Sequence, residues 1–97
     1  MAEPYHEPVE LIPEKARDYH RAIVSLIEEL QAVDWYDQRI KATKNKELKE
    51  VLSHNRDEEK EHAAMLLEWL RRRDDELSSE LKDYLFTKGK LTEIEEG

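Results

Sequence analysis

Hydrophobic and polar positions follow a heptad repeat in two long segments of this chain, a pattern typical of packed α-helices. In the second segment, alternating spacings of four and three link Leu48, Leu52, Asn55, Glu59, His62, Leu66 and Trp69. In the first segment, the same spacings link Ala22, Leu26, Glu29, Val33, Tyr36 and Ile40. Both faces are apolar at their ends and polar in the middle. We therefore expect two helices that pack together and share a polar centre.

The positions of proline and glycine divide the chain into three parts. All three prolines lie within the first 13 residues, and both glycines lie at or beyond residue 89. Because neither residue type interrupts the interior, that interior favours continuous helices. The sequence predicts an irregular N-terminal arm over residues 1–13, a helical region over residues 14–88 and a C-terminal tail over residues 89–97.

Within the helical region we predict three helices. The first covers residues 14–42, the second begins after Asn45 as its N-cap and ends near residue 73, and the third covers residues 75–86. A turn of only a few residues around Thr43 separates the first two, so they should be antiparallel neighbours. The predicted fold is all-α, an antiparallel two-helix hairpin with a short C-terminal helix.

Composition indicates that this hairpin does not act alone. The chain has 97 residues, of which 41% are charged and 38% hydrophobic. So short and so charged a chain can bury little apolar surface by itself, and it gains much from assembly. We expect two hairpins to dimerise into a four-helix bundle.

Charge and hydropathy exclude several classes of partner. A net charge of −8 disfavours binding to nucleic acid or to anionic membrane surfaces. The longest apolar run covers residues 63–67, far short of the roughly 20 residues of a membrane span. The N-terminus lacks the features of a secretory signal. We expect a cytoplasmic protein, or one held in a cytoplasmic compartment.

The polar centre of the heptad faces indicates metal binding. An unpaired carboxylate buried between helices is costly unless a cation compensates it. Since the chain has no cysteine, the ligands would be carboxylates and imidazole, which suit Fe(II) or Mn(II) better than structural zinc. Di-iron bundles use a Glu from each of two helices and a Glu-x-x-His from each of the other two. Glu29, with Glu59 and His62, is half of that set, and a two-fold dimer would supply the other half.

Two other interpretations remain open from these residues. The three side chains could form a polar layer that fixes the register of a non-catalytic helical dimerisation module. Alternatively, they could hold a structural manganese or zinc ion without consuming oxygen. In the di-iron interpretation, the four carboxylates of a dimer neutralise two divalent ions. We expect Glu59 to bridge the ions and Glu29 and His62 to be terminal ligands.

Several stretches of the chain resemble the encapsulated ferritins. They lie at residues 22–25, 28–30, 32–39 (AVDWYDQR), 55–65 (NRDEEKEHAAM) and 67–72, and the similarity resumes at residues 84–87 and 94–97. The resemblance implies a ferritin-like half-bundle whose dimers form a ring, a pentamer of dimers or decamer. It also implies a ferroxidase that oxidises Fe(II) to Fe(III) with dioxygen, at a centre with two iron ions per dimer.

The resemblance also implies roles for individual residues. The family's ligand positions fall on Glu29, Glu59 and His62, and Tyr36 matches a tyrosine beside the centre. Glu28 and Trp35 match a region through which metal enters. Gln31 stands where the family has a second glutamate, and an amide binds iron less strongly than a carboxylate.

The resemblance further implies an encapsulin shell protein as partner. Family members are cargo of an encapsulin nanocompartment in the cytoplasm, recruited by a short C-terminal peptide, and the shell stores the oxidised iron. Because this sequence ends at residues 94–97 without an apolar and basic tail, we expect either a truncated chain or a different route of encapsulation.

Overall fold

The computed structural model describes residues 5–95, and all of its regular elements are helical. A 3-10 turn at Val9–Leu11 precedes helices α1 (Glu14–Ala42), α2 (Lys46–Arg73), α3 (Asp75–Tyr84) and α4 (Leu91–Ile94). The predicted all-α fold with two long helices is confirmed. No helix in this part of the chain combines the length and apolar character that crossing a membrane requires.

Helices α1 and α2 form the expected antiparallel hairpin. The turn between them is short, and it closes on side-chain hydrogen bonds. Asn45 accepts a hydrogen bond from the backbone N–H of Leu48 at 2.9 Å, which caps the start of α2. Thr43 accepts one from the backbone N–H of Asn45 at 3.2 Å. Side chains then meet across the hairpin in antiparallel order, as Asp37 with Arg56, Glu29 with His62, and Tyr19 with the residue after α2, Asp74.

The single residue Asp74 joins α2 to α3. Its carboxylate accepts a hydrogen bond from the backbone N–H of Leu77 at 3.0 Å and so caps the start of α3. The hydroxyl of Tyr19 on α1 donates a hydrogen bond to the same carboxylate. Arg71 at the end of α2 donates to the hydroxyl of Ser78 on α3 at 2.8 Å. These bonds fix α3 against the end of the hairpin.

Helix α3 ends two residues earlier than the sequence predicted. It stops at Tyr84 instead of Phe86, because Leu85 is extended and Phe86 takes a φ of 63°, outside the helical region. The hydroxyl of Thr87 donates to the backbone carbonyl of Tyr84 at 2.7 Å, which satisfies a carbonyl that a longer helix would have used.

Both ends of the described chain carry local structure. In the N-terminal arm, Arg17 donates to the backbone carbonyls of Val9 and Ile12 at 2.6 and 2.9 Å and ties the 3-10 turn to α1. The ring of Tyr5 lies 4.3 Å from that of His20, centre to centre. The predicted tail contains α4. Residues 1–4 and 96–97, which the sequence assigned to arm and tail, lie outside the described residues.

The core of a single chain is thin. Among residues 5–95, the buried hydrophobic residues are Ala22, Val24, Ala63 and Leu70, so only one large aliphatic side chain there is nearly fully enclosed. Most heptad residues are half-buried. Large apolar side chains remain exposed in one chain, with 44% of Leu48 and 64% of Met65 accessible. Leu48 belongs to the heptad face of α2 and Met65 lies beside it, so one chain covers that face only in part.

Candidate metal centre

The three side chains predicted as ligands lie together near the middle of the hairpin. Glu59 and His62 are one helical turn apart on α2, which places them on neighbouring positions of its surface. Glu29 reaches the same place from α1. One ligand atom from each residue lies within 4.8 Å of the other two. Within the described residues, this is the group of acidic and histidine side chains whose geometry fits a metal ion.

The contacts within this triad are too long for hydrogen bonds. The Nδ1 atom of His62 lies 3.7 Å from an oxygen of Glu29 and 3.8 Å from an oxygen of Glu59. Two atoms bound to one ion at about 2.1 Å each lie at most about 4.2 Å apart. These separations therefore fit ligands that share an ion better than side chains that bond to one another.

One oxygen of Glu29 is the strongest indication of a cation in the triad. Its Oε2 atom is buried, and it has no hydrogen-bond partner among residues 5–95. A buried carboxylate oxygen without a partner is unfavourable unless a charge of opposite sign stands near it. A divalent ion such as Fe(II) or Mn(II), bound by the two carboxylates and the imidazole, would supply that charge. The residues present thus fit a metal ion.

The triad is partly exposed to solvent in one chain. About a quarter of the Glu29 and Glu59 side chains is exposed, 24% and 26%, against 46% of His62. Metal sites of this kind take four or more ligands, so three leave coordination positions unfilled. His62 and Glu59 belong to the heptad face that one chain leaves open. Further ligands can therefore reach the triad from that face.

Tyr36 is half-buried and lies two helical turns from Glu29, about 10 Å along the axis of α1. Its ring instead lies 5.8 Å from the guanidinium of Arg39, a cation–π contact. A single chain does not bring Tyr36 into the triad, and its place beside the centre stays a prediction.

The residues predicted for metal entering the site lie on the flank of α1. Glu28 is exposed, Gln31 is half-buried, and 50% of Trp35 is accessible. Trp35 lines a cavity of about 300 Å³ together with Gln38 and Arg39. None of the three is part of the triad, so their role also stays a prediction.

Sequence reasoning missed one contact near the triad. Arg56 on α2 donates a hydrogen bond to Asp37 on α1 at 3.1 Å. Hydrogen bonding from Lys41 first, and from Arg56 second, holds the pKa of Asp37 below its ordinary value. A signal was available in the sequence. Asp37 and Arg56 carry opposite charges at similar distances before and after the predicted turn, and an antiparallel hairpin brings such positions face to face.

Comparison with family models and curated proteins places the chain among known sequences. The EncFtn-like family model matches residues 4–88. An encapsulated ferritin-like protein of Rhodospirillum rubrum is 60% identical over 90 residues, which are 93% of this chain and 64% of that protein. A ferritin-like protein of Thermotoga maritima is 55% identical over 96 residues, 99% of this chain and 84% of that protein. The chain thus spans less than two thirds of the Rhodospirillum protein.

Two further comparisons extend the similarity. An encapsulin nanocompartment cargo protein of Myxococcus xanthus is 40% identical over 83 residues, 82% of this chain and 62% of that protein. Among solved structures, protein ne0167 of Nitrosomonas europaea is 61% identical and superposes with a TM-score of 0.88 over 92% of this chain and 98% of that one. The two-helix architecture is therefore shared with a crystal structure.

Proposed function

Since the chain belongs to the EncFtn-like family of encapsulated ferritins, we propose that it is a ferroxidase that oxidises Fe(II) to Fe(III) with dioxygen. Iron is its substrate, bound at a di-iron site that two copies of the chain build together. The observation that carries the proposal is the triad of Glu29, Glu59 and His62, with its buried and unpartnered carboxylate oxygen.

The need for two copies follows from the ligand count and from the open heptad face. One chain offers two carboxylates and one imidazole, which is half of a di-iron set. A two-fold axis beside the open face would bring a second triad opposite the first. Four carboxylates would then balance two divalent ions, and the half-buried heptad residues would become a bundle core. We propose that such dimers assemble further into the family's decameric ring.

The ligand types favour oxidation of the bound ions. Carboxylate oxygens are hard donors that stabilise Fe(III) relative to Fe(II) and so lower the reduction potential. We assign Glu59 as the bridging ligand, with Glu29 and His62 as terminal ligands. Two Fe(II) ions about 3.5–4 Å apart can each give up one electron. One dioxygen molecule then takes up both electrons and two protons and leaves as hydrogen peroxide.

The fate of the product rests on the relatives. The Rhodospirillum and Myxococcus proteins are described as encapsulated and as nanocompartment cargo. We propose that this chain also works inside an encapsulin shell in the cytoplasm and passes Fe(III) to it for storage. Iron would reach the site past Glu28, Gln31 and Trp35, with the amide of Gln31 holding it only weakly.

Native mass spectrometry with anaerobic addition of Fe(II) tests the shared site. We expect assemblies with an even number of chains that take up one iron per chain. Assemblies that pair but take up no iron would instead support the non-catalytic dimerisation module.

Variants of the triad test the reaction. Glu59→Ala and His62→Ala should each abolish rapid Fe(II)-dependent oxygen consumption, because loss of a direct ligand should cost more than the roughly 10–100-fold that loss of a supporting residue costs. Glu61→Ala, on the exposed side of the same helix, is the matched control and should keep the wild-type rate. Wild-type rates in the triad variants would refute the proposal. Iron uptake without oxygen consumption would indicate a structural metal site.

A further inference from the structure

One side-chain hydrogen bond links α1 directly to α2 within residues 5–95. It runs from Nη1 of Arg56 to Oδ1 of Asp37, over 3.1 Å. Arg56 is largely enclosed by the hairpin, with 23% of its side chain exposed. Every other hydrogen bond between side chains in these residues lies within one helix or at the junction with α3, where Tyr19 meets Asp74.

This bond lies close to the triad. Arg56 precedes Glu59 on α2 by one helical turn, and Asp37 follows Glu29 on α1 by about two turns. The contact therefore lies between the triad and the turn that joins the helices. A displacement of α2 along α1 would stretch this bond and move Glu59 away from Glu29 by the same amount.

The triad cannot maintain its own spacing before iron binds. Glu29 and Glu59 carry like charges, and the imidazole of His62 is not hydrogen-bonded to either. Like charges this close repel. Metal sites nevertheless require their ligands within about 0.5 Å of the productive geometry, whereas one residue of helical slippage is about 1.5 Å. Contacts elsewhere in the hairpin must therefore hold the two helices in register, and the bond between Arg56 and Asp37 is one of them.

We propose that Asp37 and Arg56 are a positioning pair that holds α2 in the register at which Glu59 and His62 meet Glu29. The proposal rests on the metal site of the proposed function. A network of alternating charges supports the pair, because Asp37 also accepts a hydrogen bond from Lys41, and Arg56 also donates one to Asp57 at 3.2 Å. Ionisation of Asp37 is favoured by both of its cationic neighbours.

The competing explanation is electrostatic, and the chain offers a matched control for it. Asp57, like Asp37, is a carboxylate that accepts a hydrogen bond from Arg56, but it lies on α2 itself, two residues from Glu59. Removing either carboxylate changes the net charge equally. If charge alone mattered, Asp57→Ala would weaken cation binding at least as much as Asp37→Ala. A positioning pair predicts that only Asp37→Ala has a large effect.

Titration with Co(II) measures the metal affinity of each variant without turnover. Co(II) takes ligands similar to those of Fe(II), and its visible spectrum reports the coordination geometry. We expect Asp37→Ala to weaken Co(II) binding about tenfold, as loss of a supporting contact does in other metal sites, and to change the Co(II) absorption bands. Asp57→Ala should stay within about twofold of wild type, and its bands should be unchanged. Asp37→Asn should remain near wild type, since its amide oxygen still accepts from Arg56.

Circular dichroism of each variant shows whether the helices are intact. Asp37→Asn, which keeps the acceptor for Arg56, is the comparison to use if Asp37→Ala does not fold. Equal effects of Asp37→Ala and Asp57→Ala, or an unchanged Co(II) affinity and spectrum in Asp37→Ala, would overturn the positioning role alone. A wild-type chain that binds no Co(II) would overturn the metal site as well, so the two failures can be told apart.

Discussion

Charged side chains lie close together at the junction of α2 with α3 and in the middle of the hairpin, and the two places differ in how those charges are satisfied. At the junction, Arg71 donates two hydrogen bonds to Glu68, at 2.6 and 2.8 Å, and a third to Ser78. Arg72 donates another to Glu68 at 2.7 Å. Glu68, Arg71 and Arg72 thus all have bonded partners within the chain.

Ionisation at the junction reflects this pairing. Hydrogen bonds from Arg71 and then Arg72 lower the pKa of Glu68 to about 2. The backbone N–H of Leu77, followed by the hydroxyl of Tyr19, lowers the pKa of Asp74. The same contact with Asp74 raises the pKa of Tyr19. The neighbours of Glu68 and Asp74 therefore stabilise the charged forms of these two carboxylates without any ligand.

The middle of the hairpin lacks such pairing. Glu29, Glu59 and His62 approach one another without hydrogen bonds, and one oxygen of Glu29 is buried without a partner in residues 5–95. A protein keeps an arrangement that costs stability where function requires it. The charges at the junction are thus satisfied within one chain, whereas those of the triad are not, as expected if a cation and a second copy complete it under the proposed function.

The largest effect expected from this difference is that metal stabilises the triad. With free Co(II) at about a hundredfold its dissociation constant, the melting temperature of the wild type should rise by about 10 °C, because binding to the folded state alone stabilises it. Glu29→Gln should abolish the rise. Without metal, Glu29→Gln should melt at or above the wild type, since it removes repulsion with Glu59. Differential scanning calorimetry at fixed chain concentration measures both.

Glu61→Gln provides the control for that experiment, because it makes the same charge change on the exposed side of α2. It should retain the full rise on addition of Co(II). If the metal-free Glu29→Gln protein melted well below the wild type, the triad would be a stabilising polar layer, and its contrast with the junction would disappear.

A smaller change in melting temperature is expected at the junction, where a substitution should lower it. Asp74→Ala removes the cap of α3 and the partner of Tyr19 together, and it should lower the melting temperature by about 5 °C with or without metal. Asp75→Ala, one residue further along, removes an equal charge without a cap and should shift it by less than about 2 °C. Thermal unfolding followed by circular dichroism measures both. Equal shifts would show that charge, and not capping, stabilises this end.

Much of this architecture could be predicted because its determinants are local or periodic. Asn45 marked the start of α2 through its side-chain cap, and the absence of proline and glycine made both long helices continuous. The triad was visible as polar residues where the heptad repeat requires apolar ones. Interrupted periodicity therefore indicated which polar residues lie together.

The missed features depend on contacts that no local pattern encodes. Phe86 has a positive φ without being glycine, and the end of α3 follows from the hydroxyl of Thr87 reaching a backbone carbonyl. The bond between Asp37 and Arg56 requires the hairpin register to within one residue. How the half-buried heptad residues would be covered depends on the second copy that we propose, and the sequence of one chain does not encode that arrangement locally.

The smallest expected effect follows from the acid titration of the junction. The folded-state pKa of Glu68, about 2, lies below its ordinary value of 4.5. Its contribution to stability is therefore complete above about pH 4.5 and is lost as the pH falls toward 2.

Because Glu68 is exposed to solvent, we expect Glu68→Gln to lower the melting temperature at pH 7 by only about 2 °C. That difference should fade between pH 4.5 and 2, and it should be absent at every pH when Arg71 and Arg72 are both alanine. A difference that persisted in that background, or that grew toward low pH, would mean that the arginines do not stabilise the carboxylate, and the junction would then resemble the triad in depending on something outside the chain.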